Sequence, residues 1–181
     1  MSARQESTFC CAAGEEDRTV NFRGGIVMYE DMLGDMNGAP AESAFHDPFL
    51  DGNELIEAAV HAYHAKATSE RLSAVLEAIR QRMHEDGHFM IPVTASEDGT
   101  EFIFRTVQTG DGKEWPAAFT SPAEYRQGPP SQIISNFIDE LLTACIDTEN
   151  NGFILNPWGE SFLLTADLIR MILKKEGSAN E

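Results

Sequence analysis

The sequence has no apolar run approaching the ~20 residues that a membrane-spanning helix needs. Its opening, MSARQESTFCCAAGEEDR, lacks the apolar stretch of a secretory signal. The expectation is a cytoplasmic protein with no membrane association. Basic residues are scarce: Lys and Arg total 13 against 30 Asp and Glu, a formal net charge of -17. A surface this negative repels phosphate backbones and anionic lipid, which argues against nucleic acid and membrane as partners. A basic partner, or solubility alone, fits that charge better. Cysteines are few, Cys10, Cys11 and Cys145. An odd number with two adjacent is no disulfide framework, and neighbouring cysteines bridge each other only with strain. No Cys-x-x-Cys occurs, so a zinc ribbon is excluded. Cys145 lies in an apolar helical stripe and reads as a small core residue.

Signatures of catalysis are missing too. There is no Gly-x-Ser-x-Gly, no phosphate loop and no cysteine with a clear partner. Gly24-Gly25 alone makes no phosphate cradle. The carboxylate pairs Glu85-Asp86 and Asp139-Glu140 are neighbours on helices, where adjacent side chains diverge, so they read as solvated faces. His61 and His64 are three apart on a helix but lack an obvious third metal ligand. His84 and His88 flank a helix end, and His46 sits in a loop; all five read as ordinary surface histidines. No metal, cofactor or enzymatic activity is expected, although active sites do assemble from distant residues.

What is present is a globular chain of 181 residues, 42% hydrophobic and 24% charged, enough for one domain with a core. Residues 1–50 are glycine-rich with poor helical periodicity, and read as an extended or partly disordered arm. The run Ile26-Val27-Met28-Tyr29 within it suits a strand or a docking segment. Order is expected from about Asp51. Leu55, Ile56, Ala59, Val60, Ala62 and Tyr63 recur at helical spacing. A second helix is capped by Thr68 or Ser69 and carries Leu72, Val75, Leu76, Ile79 and Met83 on one stripe, with Gly87 as its stop. The period then changes from 3.6 to 2. Residues 88–95, 101–109 and 114–120 form a three-strand meander, with a tight turn at Glu97-Asp98-Gly99-Thr100 and Pro92 favouring an edge position or a bulge. Ser121-Pro122-Ala123-Glu124 has the form of a capping box opening a short helix. Ile133, Ile134, Phe137, Ile138, Leu141, Leu142 and Cys145 predict a helix over about 131–145.

The stretch GFILNPWGESFLLTADLI, residues 152–169, predicts a hairpin before a final helix capped by Thr165. Asn156 should start a type I turn, Pro157 and Trp158 occupy its centre, and Gly159 take a left-handed conformation. Turn chemistry accounts for Asn156, Pro157 and Gly159. It does not ask for tryptophan. Trp158 either folds over Phe162 or the last helix, or stands exposed as a recognition anchor. Trp115, beside Pro116, carries the same two readings. Trp158, Asn156, Gly159 and Trp115 are therefore the candidate binding residues.

The segments IPV, WPAAFTSPAEY and GFILNPWGESFLLTADLI together resemble the SseB N-terminal domain family, named for enhanced serine sensitivity. The resemblance covers roughly residues 68–175. It implies an α+β fold, a bacterial cytoplasmic setting and a binding or regulatory role, and it supplies no catalytic residues. The expectation is a single α+β domain over residues 51–181. A mixed or antiparallel sheet of about five strands, the meander plus the hairpin, packs on about four helices. The expected role is a non-enzymatic, SseB-type interaction module with a protein partner. The alternative is an enzyme or small-molecule sensor linked to amino-acid metabolism. Homo-oligomerisation through a sheet edge stays open.

Overall fold

The structure, a computed structural model, describes residues 8–10, 19–21, 27–29, 47–95, 101–147 and 151–174. Asp47 begins the continuous part by accepting the Phe49 N–H at 2.9 Å, which caps a 3-10 turn over Pro48–Leu50. Helix α1 follows over Glu54–Ala65 and buries Ile56 and Val60. Helix α2, Ser69–His84, is capped by the Thr68 hydroxyl, which accepts the Arg71 N–H, and buries Val75, Leu76 and Ile79. It stops as expected, but through a different residue. Asp86 takes the left-handed conformation (φ 55), and the Gly87 N–H closes on the Arg82 carbonyl at 2.8 Å. Glycine is required at 87 for space: a Cβ there would lie 2.7 Å from that carbonyl oxygen.

The meander is present with a break in its middle strand. Strand β4 spans His88–Ala95, β5 Glu101–Phe104, β6 Thr106–Gln108 and β7 Glu114–Ala118. β4 pairs with β5 and β6 pairs with β7, both antiparallel. The break falls at Arg105, and Pro92 explains it. The Arg105 N–H donates to the Pro92 carbonyl at 2.9 Å. An antiparallel ladder would return a bond from residue 92, but proline has no N–H. The Arg105 carbonyl accepts from Ala117 instead, at 3.1 Å. So β5 and β6 enter different sheets. Pro92 was expected at an edge or a bulge; β4 lies inside its sheet, and the missing donor falls where the ladder changes partner. The tight turn expected at residues 97–100 lies outside the described residues.

The helix expected over 131–145 is half strand. Residues Gln132–Phe137 form β8, antiparallel to β4, and only Ile138–Asp147 form a helix, α4. An apolar run buried on both faces of a central strand imitates a helix stripe. Ile133, Ile134, Ser135 and Asn136 are all buried. Strands β9 (Gly152–Leu155) and β10 (Phe162–Thr165) form the expected hairpin, and Thr165 caps α5, Ala166–Leu173. At the head of β9, Gly152 has φ +129, and a Cβ would lie 2.1 Å from the Leu164 carbonyl oxygen, so no other residue fits there. A one-turn helix, α3, spans Pro122–Tyr125.

The expected arm, residues 1–50, lies mostly outside the described residues. Three short strands in it are described: β1 (Thr8–Cys10), β2 (Thr19–Asn21) and β3 (Val27–Tyr29). β3 pairs antiparallel with β8, so the run near Tyr29 is a strand. The first sheet has the order β2-β1-β5-β4-β8-β3 and the second β10-β9-β7-β6, with a bridge between Met90 and Phe119 linking them. The fold is α+β, with more strands than the five expected. The main core lies between the helices and the sheets, around Ile79, Phe89, Ile134, Leu142, Leu164 and Ile169. Each such buried side chain contributes on the order of 2 kcal/mol relative to exposure. A second cluster, including Met90, Trp115, Phe119, Tyr125 and Ile154, fills the other side. Among the described residues no helix is long and apolar enough to cross a membrane.

Candidate functional site

The β9–β10 turn is closed by a hydrogen bond from the Gly159 N–H to the Asn156 carbonyl at 3.0 Å. The left-handed residue is Asn156 (φ 48), not Gly159 as expected. Asparagine tolerates that conformation better than most residues. Its side chain explains why it is used. The Thr120 N–H donates to Asn156 Oδ1 at 3.0 Å, and Asn156 Nδ2 donates to Thr120 Oγ1 at 2.9 Å. The Thr120 hydroxyl then has its own proton for Glu57 Oε1, at 2.5 Å. Every donor has an acceptor, and both Thr120 and Asn156 are buried. Asn156 is a tie rather than a contact surface.

The tie continues inward. The Thr120 carbonyl accepts from Asn53 Nδ2 at 2.8 Å, and the same amide donates to the His88 carbonyl at 2.9 Å. Asn53 Oδ1 accepts from Arg82 Nε at 3.2 Å. Arg82 is itself buried and reaches the Phe49 carbonyl and the Glu85 carboxylate. A polar spine, Arg82–Asn53–Thr120–Asn156, thus runs from the end of α2 through the start of α1 to the turn. Charged and polar groups this deep are tolerated only when paired as fully as these are.

Trp158 is 45% exposed. Its ring lies on Gly128, so closely that a Cβ there would be 2.1 Å from the indole Nε1. The indole forms one wall of a shallow groove lined also by Pro92, Arg105, Phe119, Tyr125 and Pro129. The Tyr125 hydroxyl fixes the floor by donating to the Ser131 carbonyl (2.8 Å) and accepting the Ser131 N–H (2.7 Å). Trp115 is elsewhere in role: it is buried in the second core cluster, and its Nε1 donates to Thr109 Oγ1 at 3.1 Å.

Carboxylates gather beside the turn. Glu124 Oε2 lies 2.1 Å from where a Cβ on Gly159 would be, so a side chain there would displace the end of that carboxylate. The expected capping box is half made: Ser121 caps α3 by accepting the Glu124 N–H, while the Glu124 carboxylate lies against Gly159. Its Oε2 is shielded from solvent and meets no donor among the described residues. Burial pushes the Glu124 carboxyl above its ordinary value, and the charges of Glu57 and Glu160 push the same way, opposed by a hydrogen bond to Gln127. Glu160 also meets His61 Nδ1 at 2.9 Å, and His64 Nε2 meets the Ser161 carbonyl at 2.7 Å, so both α1 histidines brace the turn. Among the described residues no cluster of three or more His, Cys, Asp or Glu is placed to hold a metal.

His88, expected at the surface, is buried at the far end of the spine. Its Nδ1 meets Ser135 Oγ at 2.9 Å, and Ser135 Oγ donates to Asp47 Oδ2 at 3.3 Å. The Phe49 ring stacks on the imidazole at 4.4 Å. Burial drives the His88 pKa down, with Asp47 and Asp86 opposing. A Ser, a His and an Asp meet here, but the serine lies between the other two and is wholly buried, which is not how a hydroxyl nucleophile is activated.

The sequence therefore places Asn156, Trp158 and Gly159 together, with Trp115 apart from them. It misses Glu57, Asn53 and the carboxylate of Glu124. Thr120 was visible only as part of a Phe-Thr-Ser segment. Periodicity cannot reveal such long-range hydrogen-bond partners. No curated protein and no solved structure matches the chain. The model of the SseB protein N-terminal domain matches residues 56–171, a span that includes the groove, the Asn156–Gly159 turn and every member of the spine except Asn53. The chain belongs to the family of SseB protein N-terminal domains.

Proposed function

We propose that this domain is a non-enzymatic interaction or regulatory module that captures a protein partner in the bacterial cytoplasm, with Trp158 as its anchor. The observation that carries this reading is a large aromatic side chain, half exposed, held on Gly128 beside a turn that the buried spine fixes. A fixed aromatic loses little conformational freedom on binding, which is what a recognition anchor needs. Covering the exposed part of the indole would supply on the order of 2 kcal/mol. The absence of nucleophile motifs in the sequence supports the same reading.

The test is affinity capture from the protein's own cell extract, with wild type and Trp158→Ala compared at equal concentration. The variant should keep its thermal transition and retain far less partner. If Trp158→Ala captures the same proteins in the same amounts, the anchor role is wrong.

A further inference from the structure

We propose that the partner segment is basic: an Arg or Lys side chain lies along the Trp158 indole with its charged head between the carboxylates of Glu124 and Glu160. This deepens the reading of Trp158 as an anchor and rests on it. Three observations converge. The exposed indole offers a face to a cation, and guanidinium or ammonium groups stack on tryptophan more favourably than on any other aromatic side chain. Glu124 Oε2 lies against Gly159, which stands between Trp158 and Glu160 in the chain, and it has no donor among the described residues. Glu57 and Glu160 act on Glu124 as like charges, a repulsion that an incoming cation would relieve.

Charge complementarity selects the class of partner. The protein carries a net charge of -17, so its long-range field draws in basic chains and turns away acidic ones. One cation lines the groove, Arg105, and its Nη1 donates to the Pro130 carbonyl at 3.3 Å. His61 is the competitor at the other edge, where its Nδ1 meets Glu160 Oε1 at 2.9 Å. Both side chains of that pair are exposed, so an arginine or lysine can replace His61 at that carboxylate. The apolar floor of the groove, Phe119, Tyr125, Pro92 and Pro129, suits an extended apolar segment next to the basic residue.

The probe is a fluorescein-labelled hexapeptide with two arginines, compared with the same peptide bearing glutamates, by fluorescence anisotropy against the full chain. The arginine peptide should bind, weaken as salt rises from about 0.05 to about 0.5 M, and weaken about tenfold with Glu124→Gln/Glu160→Gln and about tenfold with Trp158→Leu. Glu77→Gln/Asp167→Asn makes the same change in net charge away from the turn and should leave binding unaltered. Equal binding of both peptides, or equal weakening by the remote pair, would overturn the proposal, since the field of the whole protein would then suffice. Displacement of the peptide by spermidine at equal charge concentration, with Trp158→Leu indifferent, would overturn it as well. Should capture of the native partner depend on Trp158 and not on the two carboxylates, the basic segment is wrong while the anchor survives. Should capture ignore Trp158, both fall.

Discussion

Replacing Asn156 by alanine tests whether the turn is held by its side chain or by turn chemistry alone. The substitution removes the acceptor of the Thr120 N–H and the donor to the Thr120 hydroxyl. Thr120 is wholly buried, so water cannot easily take their place. An orphaned buried N–H costs about 2 kcal/mol and the lost bond to the hydroxyl about 1. Alanine in a left-handed conformation adds about 1 more, for a total of about 4 kcal/mol. Asn156→Gly loses the same hydrogen bonds but not the backbone strain, and should be less damaging by about 0.5–1 kcal/mol. Urea unfolding followed by far-UV circular dichroism measures both. With a slope of about 2 kcal/mol/M, the alanine variant should unfold ~2 M earlier. A loss under about 1 kcal/mol, or glycine proving worse than alanine, would show that the Asn156–Thr120 tie does not hold the turn.

Gly128→Ala should push the indole of Trp158 off its seat, because a Cβ there overlaps Nε1; the emission of Trp158 should change while that of buried Trp115 persists, partner capture should fall, and the urea midpoint should shift little, since a half-exposed ring can move. Glu124→Gln should raise the melting temperature at pH 7. The folded state holds the Glu124 proton more tightly than the unfolded chain does, so wild-type stability is lost as pH rises above the ordinary carboxylate range, and the gain from glutamine should vanish near about pH 4. His88 works in the opposite direction. Its folded pKa is depressed, so its contribution is complete above the ordinary histidine value of about 6.5 and is lost as pH falls below it. Urea midpoints at about pH 7.5, 6.5 and 5.5 should decline for wild type and decline less for His88→Asn, and parallel slopes would exclude His88 as the cause.

Helices α1, α2 and α5 were legible from amphipathic spacing, joined for α2 and α5 by a capping residue: Thr68 and Thr165 do in the structure what their positions imply. β8 was not, because a strand buried on both faces has no alternation, and Ile133-Ile134 followed by Phe137-Ile138 fits a helical stripe equally well. Pro92 points to an edge position or a bulge, but where its missing N–H falls depends on Arg105 and Ala117, which no local pattern names. The turn shows the same limit. Asn156-Pro157-Trp158-Gly159 announced a turn, but the left-handed residue was misassigned to Gly159. Which residue bends is decided by the grip of Thr120 on Asn156 and the press of Glu124 on Gly159. Both partners lie more than thirty residues away.

That division bears on what Trp158 is for. Two other residues of the turn have a structural reason to be what they are: Asn156 for its two hydrogen bonds with Thr120, Gly159 for the Glu124 carboxylate that lies against it. Remote residues of this kind also hold the platform still. Arg82 grips Asn53, Asn53 grips the Thr120 carbonyl, and Thr120 grips Asn156, so the turn inherits the rigidity of α2. Gly128 then seats the indole on one side, leaving the rest of the ring to solvent. A ring that served only to cover a core would be buried, as Trp115 is, and its loss would unfold the chain. A ring held outward by a buried network, with carboxylates at its edge, has more of its free energy still to gain from a partner than from the fold. For that reason substitution of Trp158 should separate binding from stability, where substitution of Asn156 should damage both.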